Sequence, residues 1–235
     1  MAQSLTYDTL ERLSVGRPVD RLAFIVDLCR GKRVLDVGCL DETAIEKRNT
    51  ESWLHGRISA VADCVVGIDS STYIPDDGLQ TGPRSIIIHG NGVDPAVPEL
   101  HHMEVDQIVA GEFIEHIDEP LLFFRNLKQR FPGRELVLST PNGTSLANML
   151  LGLIRREAQH PDHIHVFTYK VLNTLCLRAG FQDWEIVPYH FYATEMKLRE
   201  RGLTRIAAIV AERAIRFVER FCPLLCFGYL VRVRL

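Results

Sequence analysis

The chain has 235 residues, enough for one sizeable domain with a full core and too many for a disulfide-stapled miniprotein. Apolar residues make up 46% and charged residues 24%, with 16 glycines and 11 prolines scattered along the chain, which excludes a disordered or collagen-like polymer. A formal charge of −3 excludes nucleic-acid recognition through the field of the whole molecule, so an anionic partner has to be met by a local patch.

Residues 1–8 carry neither a basic start nor an apolar run, so no secretory leader is expected and the cytoplasm is the expected compartment. Residues 1–30 read as a helical lead-in, with a helix near 19–29. Short, β-branched, apolar runs then alternate with longer amphipathic ones, the pattern of a mostly parallel sheet buried on both faces. The predicted strands are 33–37, 64–68, 85–88, 106–110 and 135–139, with helices near 42–62, 119–131, 143–154 and 168–179. Two late strands, 184–192 and 227–234, are expected to pair antiparallel and close the sheet. Between them, 194–221 reads as a helical insertion interrupted at Gly202. The expected architecture is one α/β domain.

The six cysteines form no C-x-x-C pair and five sit among apolar neighbours, so free thiols and no structural zinc are expected. The longest apolar stretch, 221–231, is broken by Pro223 and Gly228 and is too short to span a bilayer.

The run Val34-Leu35-Asp36-Val37-Gly38-Cys39 puts an acid at the end of a buried strand and a glycine where the chain turns away, the edge at which open α/β sheets hold nucleotide-like ligands. The next strand ends Gly67-Ile68-Asp69, a second carboxylate on the same side, suited to a ribose diol. A dinucleotide would need G-x-G-x-x-G, so that a pyrophosphate can rest on bare backbone. Here Cys39, Leu40 and Asp41 follow Gly38, and an acid at that place repels phosphate. Two aspartates suit a cationic ligand, such as the sulfonium and amino group of S-adenosylmethionine.

Residues 33–39, Gly67-Ile68-Asp69, the run from Gly111 to Ile117 and Leu138-Ser139-Thr140-Pro141-Asn142 together resemble class I S-adenosylmethionine-dependent methyltransferases. The resemblance covers roughly residues 20–190 and in detail is similar to small enzymes associated with glycan, quinone and lipid-linked substrates, several of which share a segment like Trp53-Leu54-His55. It implies a Rossmann-like doubly wound sheet and S-adenosylmethionine as cofactor. It further implies that Asp36, Gly38 and Cys39 border the methionine part and that Asp69, with Ser70 beside it, holds the ribose hydroxyls. Asn91 and Gly92 fall at the adenine, with Asn91 standing where the family usually has an acid. Leu40 occupies a position where the family has glycine.

Glu112, Glu115 and His116 stand at i, i+3 and i+4, so a helical turn would project all three from one face. With His163 they make an oxygen and nitrogen set suited to magnesium, manganese, iron or zinc. The same pattern resembles the metal-binding set of small-RNA 3′-terminal 2′-O-methyltransferases, with Asp162-His163 as its later element. Read without a metal, Glu112 contacts cofactor or acceptor, Glu115 caps the next helix, and His116 is structural. Since an alcohol is a poor nucleophile until it loses its proton, His116 is the preferred base or ligand, with His163 and Glu112 as its companions. His160 and His165 read as solvated loop residues and are assigned no role.

Residues 197–221 carry a surplus of four positive charges, and Leu203, Ile206, Val210, Ala214, Phe217 and Phe221 recur at three- and four-residue steps. This stripe either packs on the sheet, forms a homodimer interface, or lies on an anionic membrane surface. The expected acceptor is a hydroxyl of a small molecule, a glycan or a lipid-linked molecule. The alternatives are RNA ribose methylation, which the acidic net charge disfavours, and a non-catalytic binding module, which Leu40 and Asn91 suggest.

Overall fold

Strand β1 (Arg33–Val37) consists of residues that gain most from burial on both faces: Val34, Leu35 and Val37 have no solvent exposure, each worth about 1.5–3 kcal/mol relative to water. The same composition places β2 (Cys64–Asp69), β4 (Ser85–His89), β5 (Gln107–Gly111) and β6 (Glu135–Pro141) beside it, all parallel. The computed structural model describes residues 5–40, 48, 50–94 and 104–235.

The sheet has eight strands in the order β3-β4-β2-β1-β5-β6-β8-β7. Its far edge is the antiparallel unit expected from the sequence: β8 (Gly228–Arg234) pairs with both β6 and β7 (Trp184–Tyr189). The near edge holds a strand not expected, β3 (Leu79–Gly82), antiparallel to β4. Its polar sequence gives no apolar run to recognise, and a short polar edge strand is one way a sheet avoids pairing with other chains.

Helices cover the sheet. Asp20 accepts from the Ala23 N–H and so starts α1 (Arg21–Cys29), while residues 5–20 lead in without helix. Pro120 opens α3 (Pro120–Arg130), Ser145 caps α4 (Leu146–Leu153) and Thr168 caps α5 (Tyr169–Arg178). The helix expected over 42–62 is corrected: among the described residues only α2 (Leu54–Ser59) is helical there, beginning after Trp53. Residues 41–47 and 49 lie outside the described residues. The late insertion forms α6 (Thr194–Arg199) and α7 (Gly202–Glu219), broken close to Gly202 as expected.

Candidate active site

The strand order reverses at β1, which lies between β2 and β5, so a crevice opens at the carboxyl ends of β1 and β5. Gly38 turns the chain out of β1 at φ +65°, and a Cβ there would sit 2.4 Å from the Phe113 ring. Only glycine allows both the conformation and that approach. Across the crevice Asp69 is fixed by backbone: its Oδ2 accepts from the Leu40 N–H at 2.9 Å and its Oδ1 from the Ser71 N–H at 2.9 Å. A carboxylate oriented in this way is chemically suited to accept from a ribose diol. Ser70 is exposed beside it. Asn91 Oδ1 accepts from the Val93 N–H at 2.9 Å, which orients its amide at the edge of the crevice, and Gly92 packs against Val37 and Phe113. The bare turn and the anchored diol acceptor fit S-adenosylmethionine.

Asp36 is almost wholly buried, and its Oδ2 accepts from His55 Nδ1 at 2.9 Å. Because a carboxylate only accepts, Nδ1 carries the hydrogen and Nε2 turns to Thr81 Oγ1 at 2.9 Å. Ser85 Oγ lies 2.7 Å from both Thr81 Oγ1 and Ser59 Oγ, and Ser59 donates to the His55 carbonyl at 2.8 Å. One buried chain of hydrogen bonds thus ties β1, α2, β3 and β4 together. Asp36 lies under the crevice with its charge answered by His55. Cys39 Sγ fills the space that the bare Gly67 leaves, 2.6 Å from where a Cβ would be, and burial pushes its thiol well up from the ordinary range.

Beyond β5 the chain does not turn helically. Glu112 has a left-handed backbone at φ 55°, which separates it from Glu115 and His116. A non-glycine residue in that region carries strain that its surroundings must impose. Its amide donates to the Ser139 carbonyl at 2.9 Å, and its Oε1 accepts from Tyr189 Oη at 3.0 Å and Tyr192 Oη at 2.6 Å. Arg21 Nη1 stands 3.5 Å from Oε2, with its guanidinium over the Tyr192 ring. Burial and the Glu112 charge lift both phenols well above their usual range, so they stay protonated as donors. Arg21, Tyr189 and Tyr192 escaped sequence reasoning because they come from segments far apart in the chain; no local motif joins them.

Glu115 is 1% exposed, and neither of its carboxylate oxygens has a hydrogen-bond partner. Burial first, and the neighbouring Glu112 second, raise it to about 8, so it is neutral at pH 7. It does not cap α3, which has no side-chain cap.

The four expected metal ligands therefore do not converge: Glu112 is held by two phenols and an arginine, and Glu115 is buried. His116 and His163 do meet, with ring centroids 4.5 Å apart, and His160 joins them, the ligand atoms of all three lying within 4.8 Å of one another. Burial lowers His163 to about 4 and lowers His116 as well, with the neighbouring imidazoles acting in the same direction. The His116 and His163 rings are therefore neutral at pH 7. His165 is set apart, 3.2 Å from the Asp118 carbonyl.

Comparison with known proteins agrees with this geometry. Residues 8–186 match the family model described as a methyltransferase domain. A SAM-dependent methyltransferase from Archaeoglobus fulgidus is similar in structure (TM-score 0.55, 17% identity), over 92% of this chain and 91% of that one. An S-adenosylmethionine-dependent methyltransferase from Mesorhizobium loti is similar over 91% and 95% of the two chains (TM-score 0.53, 17% identity). The small RNA methyltransferase HEN1 is similar over 91% of this chain but only 24% of its own length (TM-score 0.56, 15% identity). No curated protein sequence matches. The doubly wound sheet, the crevice at its switch point and the family match over most of the chain lead to one conclusion: the chain belongs to the methyltransferase domain family and is a class I S-adenosylmethionine-dependent methyltransferase.

Proposed function

We propose that the enzyme methylates a hydroxyl oxygen on a small-molecule, glycan or lipid-linked acceptor. The observation that carries this reading is the group of three imidazoles, His116, His160 and His163, beyond the β5 end of the crevice, of which His116 and His163 are held neutral and lie near enough to Glu112 for its charge to act on them. An amine or thiolate acceptor needs little help with its proton, whereas an alcohol needs a base.

S-adenosylmethionine, when bound, supplies an electrophilic methyl on sulfur. Gly38 and Gly92 leave room for it, Asp69 accepts from its ribose, and Asn91 borders its adenine. Glu112, fixed by Arg21, Tyr189 and Tyr192, presents a preset carboxylate to the acceptor, so little reorganisation is left for the moment of reaction. His116 takes the hydroxyl proton on a ring nitrogen as the oxygen–methyl bond forms, with His163 beside it.

His116→Ala is expected to lower kcat about 100-fold or more while leaving S-adenosylmethionine affinity by calorimetry within about twofold. Near-wild-type turnover by both His116→Ala and His163→Ala would remove the base from this reading. Because Glu112 is held by Tyr189, Tyr192 and Arg21 while Glu115 is buried and protonated, turnover is also expected to survive exhaustive chelation. Loss of activity restored by zinc or manganese would instead assign the three imidazoles to a cation that acidifies the hydroxyl.

RNA ribose methylation is a second reading, favoured by the Glu-x-x-Glu-His and Asp162-His163 motifs. Salt-dependent binding to a short RNA would support it.

A further inference from the structure

Helix α7 presents its apolar residues outward. Its inner side holds Ala208, Ile215 and Glu219, all buried, with Ile215 packed against Leu146 and Ala147 of α4, while Leu203 is 84%, Ile206 58%, Val210 58%, Phe217 63% and Phe221 73% exposed. A helix that merely covers a sheet has the opposite polarity. The neighbouring α4 also leaves Met149, Leu150 and Leu153 exposed.

Along one flank of the stripe run Arg213, Arg216 and Arg220, which with His190 and Phe217 line a hollow of about 290 Å³. Arg216 is pinned in place, its Nε donating to the Phe191 carbonyl at 2.7 Å and its Nη2 lying 3.2 Å from Glu212 Oε1. Among the described residues, neither the Arg213 nor the Arg220 side chain makes a hydrogen bond or ion pair. The nearby acids point inward: Glu212 Oε2 meets Lys197 Nζ at 2.7 Å, and buried Glu219 accepts from the Phe191 N–H and lies 2.9 Å from His190 Nδ1. Two unanswered guanidiniums therefore border a cavity on the rim of an apolar surface.

We propose that this face docks on an anionic lipid bilayer, with a lipid phosphate seated among Arg213, Arg216 and Arg220 and the Leu203 to Phe221 stripe entering the acyl boundary. Guanidiniums grip phosphate oxygens in pairs, and an interfacial helix gains from apolar burial and from the negative surface together. A second copy of the chain suits the face poorly, since a two-fold axis would set the same arginines against each other with no outward carboxylate between them. A soluble anion would leave the stripe in water. This inference stands apart from the identity of the acceptor and from the base.

The test is co-sedimentation of the full chain with vesicles of phosphatidylcholine alone and of phosphatidylcholine mixed with phosphatidylglycerol. Binding is expected only to the mixed vesicles. Arg213→Gln and Arg220→Gln should each weaken it about fivefold, and the Arg213→Glu, Arg220→Glu double variant should abolish it. Phe217→Ser with Phe221→Ser should weaken it independently of charge. All four positions face solvent, and unchanged melting temperatures confirm that the variants fold. No binding to the anionic vesicles, or equal binding by the charge-reversed variant, overturns the proposal. So does saturable binding of inorganic phosphate without vesicle binding, which would make the hollow a soluble-anion site, and so does a dimer that ignores vesicles.

Discussion

Asp36→Ala is expected to destabilise the protein by about 3 kcal/mol, a drop in melting temperature of roughly 6–12 °C for a chain of this size, and to weaken S-adenosylmethionine binding as well. Removing the carboxylate strands the His55 Nδ1–H in a site where the ring is 1% exposed and where water cannot replace the lost acceptor. The loss does not stop at one bond. His55 also anchors Thr81 and, at 3.2 Å, Ser85, so β3 loses one of the ties that supplement its pairing with β4. Asp36→Asn keeps an acceptor oxygen for His55 and should recover most of the stability but less of the cofactor affinity, because the negative charge is gone. Thermal melts and calorimetry on the two variants check this. Equal stability of Asp36→Ala and wild type would show that the buried chain holds nothing.

Glu115→Gln should raise stability, and the gain should grow with pH. The folded carboxyl titrates at about 8, above its value of about 4.5 when free. Below pH 4.5 both states hold the proton and the two proteins should differ little. Between the two values the unfolded chain gives up its proton and the folded chain does not, so wild type loses stability as pH rises, levelling off above about 8. The gap has an upper bound of about 5 kcal/mol at alkaline pH, reduced by whatever local relaxation lets water reach the carboxylate. Glutamine keeps the shape without the proton equilibrium. Urea melts of both proteins at pH 5 and pH 8.5 measure it, and parallel curves would mean that Glu115 is ionised in the fold.

The strands were legible because burial on both faces leaves a composition that nothing else in the chain shares. β1 matches its expected residues, and β2, β4, β5 and β6 lie within a residue or two of theirs. The break near Gly202 and the antiparallel closure were legible for similar reasons. What failed was local periodicity standing in for backbone conformation. Glu112, Glu115 and His116 have helical spacing, but the left-handed turn at Glu112 sends its carboxylate to Tyr189 and Tyr192, some 80 residues away in the chain. His160, dismissed as a solvated loop residue, sits with His116 and His163, since nothing in sequence spacing reports that a loop folds back over a strand end. The outer stripe of α7 was read correctly as a periodic pattern, but periodicity alone says which residues share a face and not which way that face looks.

Leu40 stands where the sequence resemblance implies a glycine, and the way it is accommodated bears on how the end of β1 meets a nucleoside. It is the main-chain N–H of residue 40 that Asp69 grips, so the side chain is free to do something else: with Cys39 and Leu79 it packs onto Trp53, Ile74 and Ile87. Residues 39 and 40 are thus held from their inner side before any ligand arrives. The ordering entropy of these two residues is surrendered during folding instead of on encounter, so it is not charged against the binding of a nucleoside.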